Sequence, residues 1–504
     1  MLVGHTLSFV RNPETLINNA FRFFGSNDPF AIVVAGRRTV IIRNVQDVAA
    51  LWRNTEDLSI DPFVTGVFNS FGMSSIGKFK LLANPQEEVL DEFRAKSLLL
   101  QANPHNKPFK DLEREWYVAQ LLAPEPLQML LDKYNEILNE SLAWRRLSAA
   151  YVLSAAAASV GGGNGGQEAK TVSLQHFCRH TVAHCSITTF FGHKLHEVAP
   201  SFERDYEMFE KNSWKIFYRL PPVLAKDTHR AKDRAVDGLV RYFALPQAER
   251  HELAWIFHTN TAELQALGVP DRDIAGFIMV IIWAINNNAH RMAFWIFAYL
   301  VHNPAYFALV RQEIDAAFAS APSPALANSS SSSSSSSKPD MDVLVSACPH
   351  LDGVWFEAMR LYNATSAIRE AKHACSIGGK AIHVGDQLIA PFRQFHTNPA
   401  IFGADAAVFR PDRFLEDKGL ARRKGYSPFG GGHTYCPGRL FAQREIYLLV
   451  AATLRRYDVG LVPRRGGARM PEVDRDTPSP AAMSPDEDVL VTLTPRLPQG
   501  AGAV

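Results

Sequence analysis

The sequence is poor in cysteine, in net charge and in long apolar runs. Its 504 residues include only five cysteines, scattered and odd in number, which argues against a disulfide framework and for a reducing compartment. A net charge of +2 gives no electrostatic reason to expect a nucleic acid or a strongly acidic molecule as a partner. With 47% hydrophobic and 21% charged residues, the chain has the composition of a globular protein with a substantial core.

The apolar runs are too short to predict a membrane span. No run reaches the roughly 18 residues of a transmembrane helix, and the longest stretch, 274–285, ends in asparagines and suits a buried helix better. The N-terminal residues are too few and too polar before the first break to form a signal peptide. Because no internal repeat or second domain signal is visible, residues 1–504 are expected to form a single domain.

What the sequence does contain is a series of helical patterns with short strand patterns between them. A hairpin is predicted from strands 30–34 and 39–43, joined by a turn at 35–38. A helix over 44–52 follows, with Asn44 as its N-cap. Further helices are predicted at 16–25, 112–122, 127–142, 172–191, 202–217, 230–243, 271–302, 303–318, 351–362 and 440–454, and further strands at 364–369 and 387–391.

Three segments have the composition of loops. Residues 62–77 are rich in Phe, Gly and Ser, and residues 154–167 are small and glycine-rich. The serine run 329–337 lies between prolines and has no apolar side chains to bury, so a disordered insert is expected at about 321–340. The insert does not mark a domain boundary, because recognisable motifs continue after it.

Two histidines in the predicted helix 172–191 raise the question of a metal site. His180 and His184 lie one turn apart on one helix face, which is a spacing suited to metal binding. No glutamate follows His180 directly, so the H-E-x-x-H motif of metalloproteases is absent. Histidines in a protein core are common, so core histidines with satisfied hydrogen bonds are the favoured interpretation.

The most informative stretch is a glycine-rich loop that contains a cysteine and leads into a helix. Gly430 to Gly432 allow backbone conformations that are closed to other residues, and Cys436 follows shortly before the helix. A cysteine at a helix N-terminus feels the positive end of the helix dipole, which favours the metal-binding thiolate. Without its spacing, the same pattern is equally typical of a turn with a buried structural cysteine.

The spacing of this loop resembles the haem-binding loop of cytochromes P450. Phe429, Gly432, Cys436, Gly438 and Ala442 form the pattern F-x-x-G-x-x-x-C-x-G-x-x-x-A. The resemblance implies that Cys436 is the axial thiolate ligand of the iron in haem b. It also implies that Phe429 packs beside the sulfur, that the glycines admit the loop under the porphyrin, and that His433, at a position often basic in the family, contacts a haem propionate.

A second and a third motif extend the resemblance. Glu357 and Arg360 share a helix face, and such a pair contributes little if it lies on the surface. With Arg413 downstream, they resemble the E-x-x-R helix and the P-E-R-F meander of the family, with Asp412 replacing the usual Glu. The resemblance implies a structural network of these three residues beneath the cysteine loop, and it places Arg369 at a haem propionate. It covers residues 1–496 and implies a mainly α fold with small β-sheets.

The chain departs from the family at two places. The usual W-x-x-x-R motif reads Trp116 to Gln120, so the basic contact to a propionate comes from elsewhere, with His105 and Lys107 as candidates. Eukaryotic members usually begin with a membrane anchor, and the resemblance implies that this sequence starts after that point. The resemblance implies that the protein is located on the cytoplasmic face of the endoplasmic reticulum, with peripheral or anchored membrane association.

The long helix 271–302 bears on the reaction, because Asn287 and Asn288 occupy the positions where P450 monooxygenases carry an acid and an alcohol. An amide is not a proton donor of the acid type, but it forms hydrogen bonds and positions water. The arrangement resembles the sterol 7α-hydroxylase and prostacyclin synthase branch. Two enzymatic interpretations follow, and a third, a non-catalytic haem carrier with His290 as second axial ligand, is disfavoured because His290 points away from Asn288 on the helix.

In the preferred interpretation, the haem uses O2 and electrons from an NADPH–P450 reductase to insert oxygen into a hydrophobic molecule such as a sterol, terpenoid, fatty acid or polyketide. Asn288 and water then relay protons. In the alternative, the enzyme is an isomerase or dehydratase that acts on a lipid peroxide without O2 or NADPH. The basic run 422–424 is a candidate contact for an acidic reductase surface, although a solvated charge run is favoured. Substrate-facing positions implied by the resemblance are 63–71, 283–289, 364–368 and 481–484.

Overall fold

Helices dominate the fold, which also contains three small β-sheets in the part of the chain that is described. The computed structural model describes residues 4–82, 107–157, 168–218, 220–320, 339–463, 467, 469–475, 477, 479 and 481–496. Its α-helices are α1 (Thr6–Arg11), α2 (Pro13–Phe24), α3 (Val45–Arg53), α4 (Asp61–Ser70), α5 (Ser75–Leu82), α6 (Phe109–Leu121), α7 (Pro124–Ser141), α8 (Leu174–Phe191), α9 (Lys194–Val198), α10 (Phe202–Phe217), α11 (Lys226–Phe243), α12 (Trp255–Ala266), α13 (Asp271–His302), α14 (Pro304–Ala319), α15 (Met341–Ser346), α16 (Pro349–Leu361), α17 (Phe392–His396), α18 (Pro399–Phe402), α19 (Asp412–Glu416) and α20 (Arg439–Arg456). Its β-strands are β1 (Phe30–Val34), β2 (Arg37–Ile41), β3 (Leu58–Ser59), β4 (Val152–Ala157), β5 (Glu168–Ser173), β6 (Ser366–Ala371), β7 (Cys375–Ile377), β8 (Lys380–Ile382), β9 (Gln387–Pro391), β10 (Tyr457–Leu461) and β11 (Leu490–Pro495).

The sheets join distant parts of the chain. The five-stranded sheet has the order β1-β2-β9-β6-β3, in which β2 and β9 are parallel and the other neighbours antiparallel. The four-stranded sheet β10-β11-β5-β4 is antiparallel, and β7 pairs with β8 as a separate hairpin. Strands near the N-terminus therefore share a sheet with strands that precede the cysteine loop, and the predicted mainly α fold with small β-sheets is confirmed.

Helix α13 forms the centre of the core. It begins after Pro270 with Asp271 and Asp273 in its first turn, where carboxylates are favoured by the helix dipole, and it ends at Asn303 before Pro304. Most of its side chains are buried, and it packs against α8, α11, α16 and α20. The predicted bounds of this helix are confirmed, because Pro270 and Pro304 flank it, although no side chain caps its N-terminus.

The N-terminal hairpin is confirmed, with a shorter turn than predicted. β2 begins at Arg37, so Ala35 and Gly36 alone form the loop, with φ angles of 49° and 78°. Positive φ at both positions is the geometry whose twist matches that of the flanking strands. The side chain of Asn44 accepts a hydrogen bond from the Gln46 amide at 2.9 Å, which confirms Asn44 as the cap of α3.

The prediction of a loop at 62–77 is wrong, because this segment contains α4 and the first part of α5. Pro62 lies in the first turn of α4, where its missing N–H leaves no helical bond unmade. The Thr65 and Ser70 hydroxyls donate to carbonyls one turn earlier, and Phe68 is buried in the core. Burial of Phe68 outweighs a composition that favours turns.

The other predicted loops are partly outside the described residues. β4 occupies 152–157 and pairs with β5, so the first part of the predicted linker 154–167 is a strand, while 158–167 lies outside the described residues. Residues 168–173 form β5, so the helix predicted at 172–191 begins at Leu174. The serine run and most of the expected insert, 321–338, also lie outside the described residues.

Within the described ranges, no single helix has the length and apolar character of a membrane span. Only α13 and α14 taken together pass on length and composition, and they meet at a bend of 116°.

Candidate active site

The cysteine loop lies directly before α20 and is closed by backbone hydrogen bonds. The Cys436 amide donates to the Phe429 carbonyl at 3.1 Å, and Gly438 is the N-cap of α20. Gly430 and Gly432 have φ angles of 74° and 60°, which glycine adopts without strain. The loop therefore presents the thiol of Cys436 at the N-terminus of a helix of 18 residues.

The glycines of this loop have a neighbour that the sequence did not indicate. A Cβ atom on Gly431 would lie 2.4 Å from the Trp52 ring of α3, and one on Gly432 would lie 3.0 Å from the Trp52 Cβ. The first distance is shorter than any real contact, so the indole requires glycine at position 431. The expectation that the glycines admit the loop under a porphyrin stays a prediction.

Burial dominates the electrostatics of Cys436. Burial raises the pKa of its thiol, and the opposing effects of the Gly438 and Arg439 backbone N–H groups and of the Arg439 charge do not reverse that shift. The effect of the helix N-terminus on the Cys436 thiol stays a prediction, and desolvation of the thiol opposes it. A metal cation at the sulfur would stabilise the thiolate, since a thiol that coordinates a metal is deprotonated.

Arg369, His433 and Arg114 are basic residues near the loop, and Asp111 and Asp61 act on His433 with the opposite charge. Arg369 is buried, and its guanidinium donates to Thr434 Oγ1 at 3.0 Å, while no carboxylate of the described residues pairs with it. His433 is exposed as a whole, but partial burial of its ring lowers its pKa, and the charges of Arg369 and Arg114 lower that pKa further. A buried guanidinium without a carboxylate is costly, so this set fits an anionic group such as a haem propionate.

Arg114 is a basic residue that the sequence did not single out. It is exposed on α6, two residues before Trp116, and no described residue forms an ion pair with it. Gln120, at the position of the family's arginine, instead accepts a hydrogen bond from the Ile256 amide at 2.7 Å and so fixes the start of α12. Of the two candidates named from the sequence, Lys107 pairs with Glu115, and His105 lies outside the described residues.

The predicted network beneath the loop is present and fully buried. Glu357 accepts from Arg360 at 2.7 Å and from Arg413 Nε at 3.1 Å, with side-chain exposures of 0%, 0% and 3%. Arg360 also donates to the His396 carbonyl at 2.6 Å, and the His396 ring accepts from the Ser427 amide at 3.0 Å. The network thereby reaches the first residue of the cysteine loop.

One face of α13 is open although the helix is otherwise buried. Ala284 is exposed, and Val280 and Asn288, one turn to either side, are half-buried. These positions share one face of the helix, so that face borders an open space inside the fold. Asn288 Oδ1 accepts from the Ala482 amide at 3.1 Å, and its amide nitrogen has no hydrogen-bond partner among the described residues.

Asn287 faces a different environment from Asn288. Its side-chain oxygen accepts from Arg291 at 2.7 Å, and Arg291 pairs with the buried Glu210 at 2.7 Å. His290 Nε2 lies 3.2 Å from the same carboxylate, and burial lowers the pKa of His290 to about 4. Because His290 points at Glu210 of α10, it is not placed to be a second axial ligand, which removes the basis for a haem carrier.

The segments expected to face substrate meet in part around α13. The Phe71 ring lies 5.3 Å from that of Phe209 and 6.2 Å from that of Trp283, so α4, α10 and α13 share an aromatic cluster. The segment 481–484 is fixed to α13, since Trp295 Nε1 donates to the Met483 carbonyl at 2.8 Å. The aromatic cluster and the segment 481–484 are therefore both held against α13.

Comparisons with known proteins agree with the geometry. The sequence profile of the family "Cytochrome P450" matches residues 163–475. The chain is 24% identical over 469 residues to the cytochrome P450 monooxygenase poxD of Penicillium oxalicum, an alignment that covers 91% of this chain and 85% of that protein. It is 26% identical to the cholesterol 7-alpha-monooxygenase of Cricetulus griseus, over 63% of this chain and 65% of that protein. It is 28% identical to the prostacyclin synthase of Bos taurus, over 54% of this chain and 56% of that protein.

Proposed function

Since the chain belongs to the cytochrome P450 family and is an oxidoreductase with a haem-iron cofactor, we propose that it inserts oxygen from O2 into a hydrophobic small molecule. The observation that carries this proposal is the accessible face of α13, where Asn288 presents an amide with free N–H donors. The similar proteins include two that are named as monooxygenases, which supports the same reaction class.

The residues near the cysteine loop fit haem b. Cys436 would be its axial ligand, with Phe429, Gly432 and Gly438 shaping the loop around the sulfur. When bound, the haem supplies an iron that activates dioxygen. Its propionates would meet two cations, the buried Arg369 and the exposed Arg114, with His433 as a further hydrogen-bonding group.

Asn287 and Asn288 would have different roles in the reaction. Asn288 has an amide nitrogen on the accessible face, so it would orient a water molecule that takes part in proton transfer there. Asn287 is held by Arg291 and donates its own N–H to Asn288 Oδ1 at 3.5 Å, so it would fix the orientation of that amide. Neither side chain is an acid, so the protons must come through water.

The substrate we propose is a sterol, terpenoid, fatty acid or polyketide. The Trp283 indole of α13 is half-buried beside the buried rings of Phe71 and Phe209, and it presents apolar surface without charge. An apolar wall of this kind contributes binding free energy in proportion to the apolar area removed from water. The position of the oxidised carbon depends on contacts that an apolar wall alone does not define.

The proposed electron donor is an NADPH–P450 reductase. The proposed location is the cytoplasmic face of the endoplasmic reticulum, with peripheral or anchored membrane association. A cavity of about 580 Å³ beside the cysteine loop is lined in part by 422–424, so this basic run lies near the iron ligand. Arg423 is already paired with Asp417 at 2.6 Å, which leaves Arg422 and Lys424 as the cations for an acidic partner surface.

A second function is favoured by one specific observation. Asn287 occupies the position of the family's acid, and Asn288 follows it. The chain that carries these two amides is also similar to the prostacyclin synthase of Bos taurus. An amide that orients a substrate peroxide would suit an isomerase or dehydratase that uses neither O2 nor NADPH. The accessible face of α13 serves either reaction.

Turnover under two conditions separates these functions. The haem-loaded protein is incubated with candidate lipids, NADPH and a P450 reductase, and separately with lipid hydroperoxides alone, and products are identified by mass spectrometry. Incorporation of 18O from 18O2 only in the first assay is the expected result. Products formed only from hydroperoxides, without label, would reverse the assignment.

A further inference from the structure

Outside the candidate active site, three short distances bring together imidazole and carboxylate groups from α8, α9 and α10. His184 Nδ1 lies 2.7 Å from Glu203 Oε1, and His196 Nδ1 lies 3.7 Å from the same oxygen. One ligand atom from each of the three residues lies within 4.8 Å of the other two. The rings of His184 and His196 have centroids 5.6 Å apart.

The hydrogen bonding of His196 leaves one of its nitrogens unused. Its Nε2 is 2.8 Å from Thr188 Oγ1, so that nitrogen is satisfied by the hydroxyl. Its Nδ1 faces Glu203 at 3.7 Å, which is too far for a hydrogen bond, and no other described residue bonds to it. In the tautomer whose Nε2–H donates to the Thr188 hydroxyl, the lone pair of Nδ1 is available to a cation, and the nearby Glu203 carboxylate favours a cation there.

We propose that His184, His196 and Glu203 form a binding site for a divalent transition metal, with Zn²⁺ as the preferred ion. Two imidazoles and one carboxylate are a ligand set that zinc accepts, with a water molecule in the fourth position. The side chains are 32%, 25% and 18% exposed, so an ion can enter from solvent and keep that water. Tetrahedral zinc needs donor atoms about 3.4 Å apart, and the distances of 2.7 Å and 3.7 Å from Glu203 Oε1 to the two imidazole nitrogens lie on either side of that value.

A neighbouring pair provides a built-in comparison. His180 Nδ1 lies 2.9 Å from Glu207 Oε1, one turn further along the same two helices, and its ring is parallel to that of His184 at 6.2 Å. This pair has the same chemistry and similar exposure, but no third ligand approaches it within the described residues. It should therefore remain a hydrogen bond when zinc is bound at the first set.

The site would join α10 to the rest of the fold. Glu203 lies in the first turn of α10, and the same helix carries Phe209, which contacts the aromatic cluster beside α13. His184 lies on α8, which packs against α13. Metal binding would therefore fix the helix that covers the candidate substrate space to the core of the protein.

The test is zinc binding to the haem-loaded protein after treatment with a chelator. Isothermal titration with ZnCl₂ and elemental analysis should give one zinc per chain at micromolar or lower concentration, besides the haem iron. His196→Gln and Glu203→Gln should each weaken zinc binding by about 100-fold or more, whereas His180→Gln and Glu207→Gln should change it by less than about threefold. Zinc should also raise the thermal midpoint of the wild type but not of His196→Gln.

The Soret spectrum and the zinc-free thermal midpoint of each variant report folding separately from metal binding. Equal zinc affinity in the wild type and in His196→Gln would overturn the proposal. So would an equal loss in His180→Gln, which would indicate histidine-rich surface binding without a defined site.

Discussion

The buried network beneath the cysteine loop allows a quantitative prediction. Glu357 is the only carboxylate among the described residues that contacts both Arg360 and Arg413, and all three side chains are almost completely buried. Glu357→Gln keeps the size of the side chain and removes its charge. Two guanidinium groups then remain inside the fold without a counter-charge from this position.

The expected cost follows from burial. Removing one partner of a buried ion pair typically lowers the free energy of unfolding by about 3–5 kcal/mol. Glu357 also accepts from the Arg410 amide at 2.7 Å, a contact that a glutamine oxygen retains. We therefore expect a loss of about 4 kcal/mol, in the middle of that range.

Urea unfolding of the haem-loaded protein, followed by circular dichroism and by the Soret band, measures this loss. The matched control is Asp417→Asn, because the Asp417–Arg423 pair has a similar distance of 2.6 Å but side chains that are 42% and 53% exposed. An exposed pair contributes no more than about 1 kcal/mol. Equal shifts of the urea midpoint in the two variants would refute the reasoning that burial sets the cost.

Three further predictions concern single residues of the candidate active site. Cys436→Ser should lose the red-shifted Soret band that thiolate ligation gives the reduced carbon monoxide complex, while Cys178→Ser, at a buried structural cysteine, should keep it. Asn288→Ala should lower kcat by about tenfold or more, and Asn287→Ala by less, since only Asn288 has free donors on the open face; equal losses would contradict this division. Burial lowers the pKa of His290 to about 4 in the folded protein, whereas the unfolded chain takes up this proton near pH 6.5. The free energy of unfolding should therefore fall as the pH is lowered from 6.5 to 4, and His290→Gln should flatten this slope by up to about 1.4 kcal/mol per pH unit. An unchanged slope in the variant would contradict the prediction.

Local spacing explains what the sequence predicted well. The bounds of α13 follow from prolines that stand next to it in the chain, and the network of Glu357, Arg360 and Arg413 follows from motifs of fixed spacing. The cysteine loop is recognisable for the same reason. These features depend on residues whose relation is set by a few intervening positions.

Features that depend on tertiary contact were missed or misjudged. Burial of Phe68 makes α4 a helix in a segment whose composition favours a loop. The rise in the pKa of the Cys436 thiol depends on burial, which the sequence does not display. The approach of Arg114 to His433 joins α6 to the cysteine loop, so no local spacing indicates it.

The contact between Trp52 and the cysteine loop has a consequence for the order of folding. Trp52 belongs to the N-terminal part of the chain, and Gly431 and Gly432 to its C-terminal part. During synthesis the indole leaves the ribosome long before the loop that covers it, and the strands β2 and β9 of the shared sheet are separated in the same way. The loop therefore reaches its final form only after both ends of the chain have met. Capture of the haem is accordingly expected as a late step of folding, after the cysteine loop has been synthesised, and not as the event that nucleates the fold.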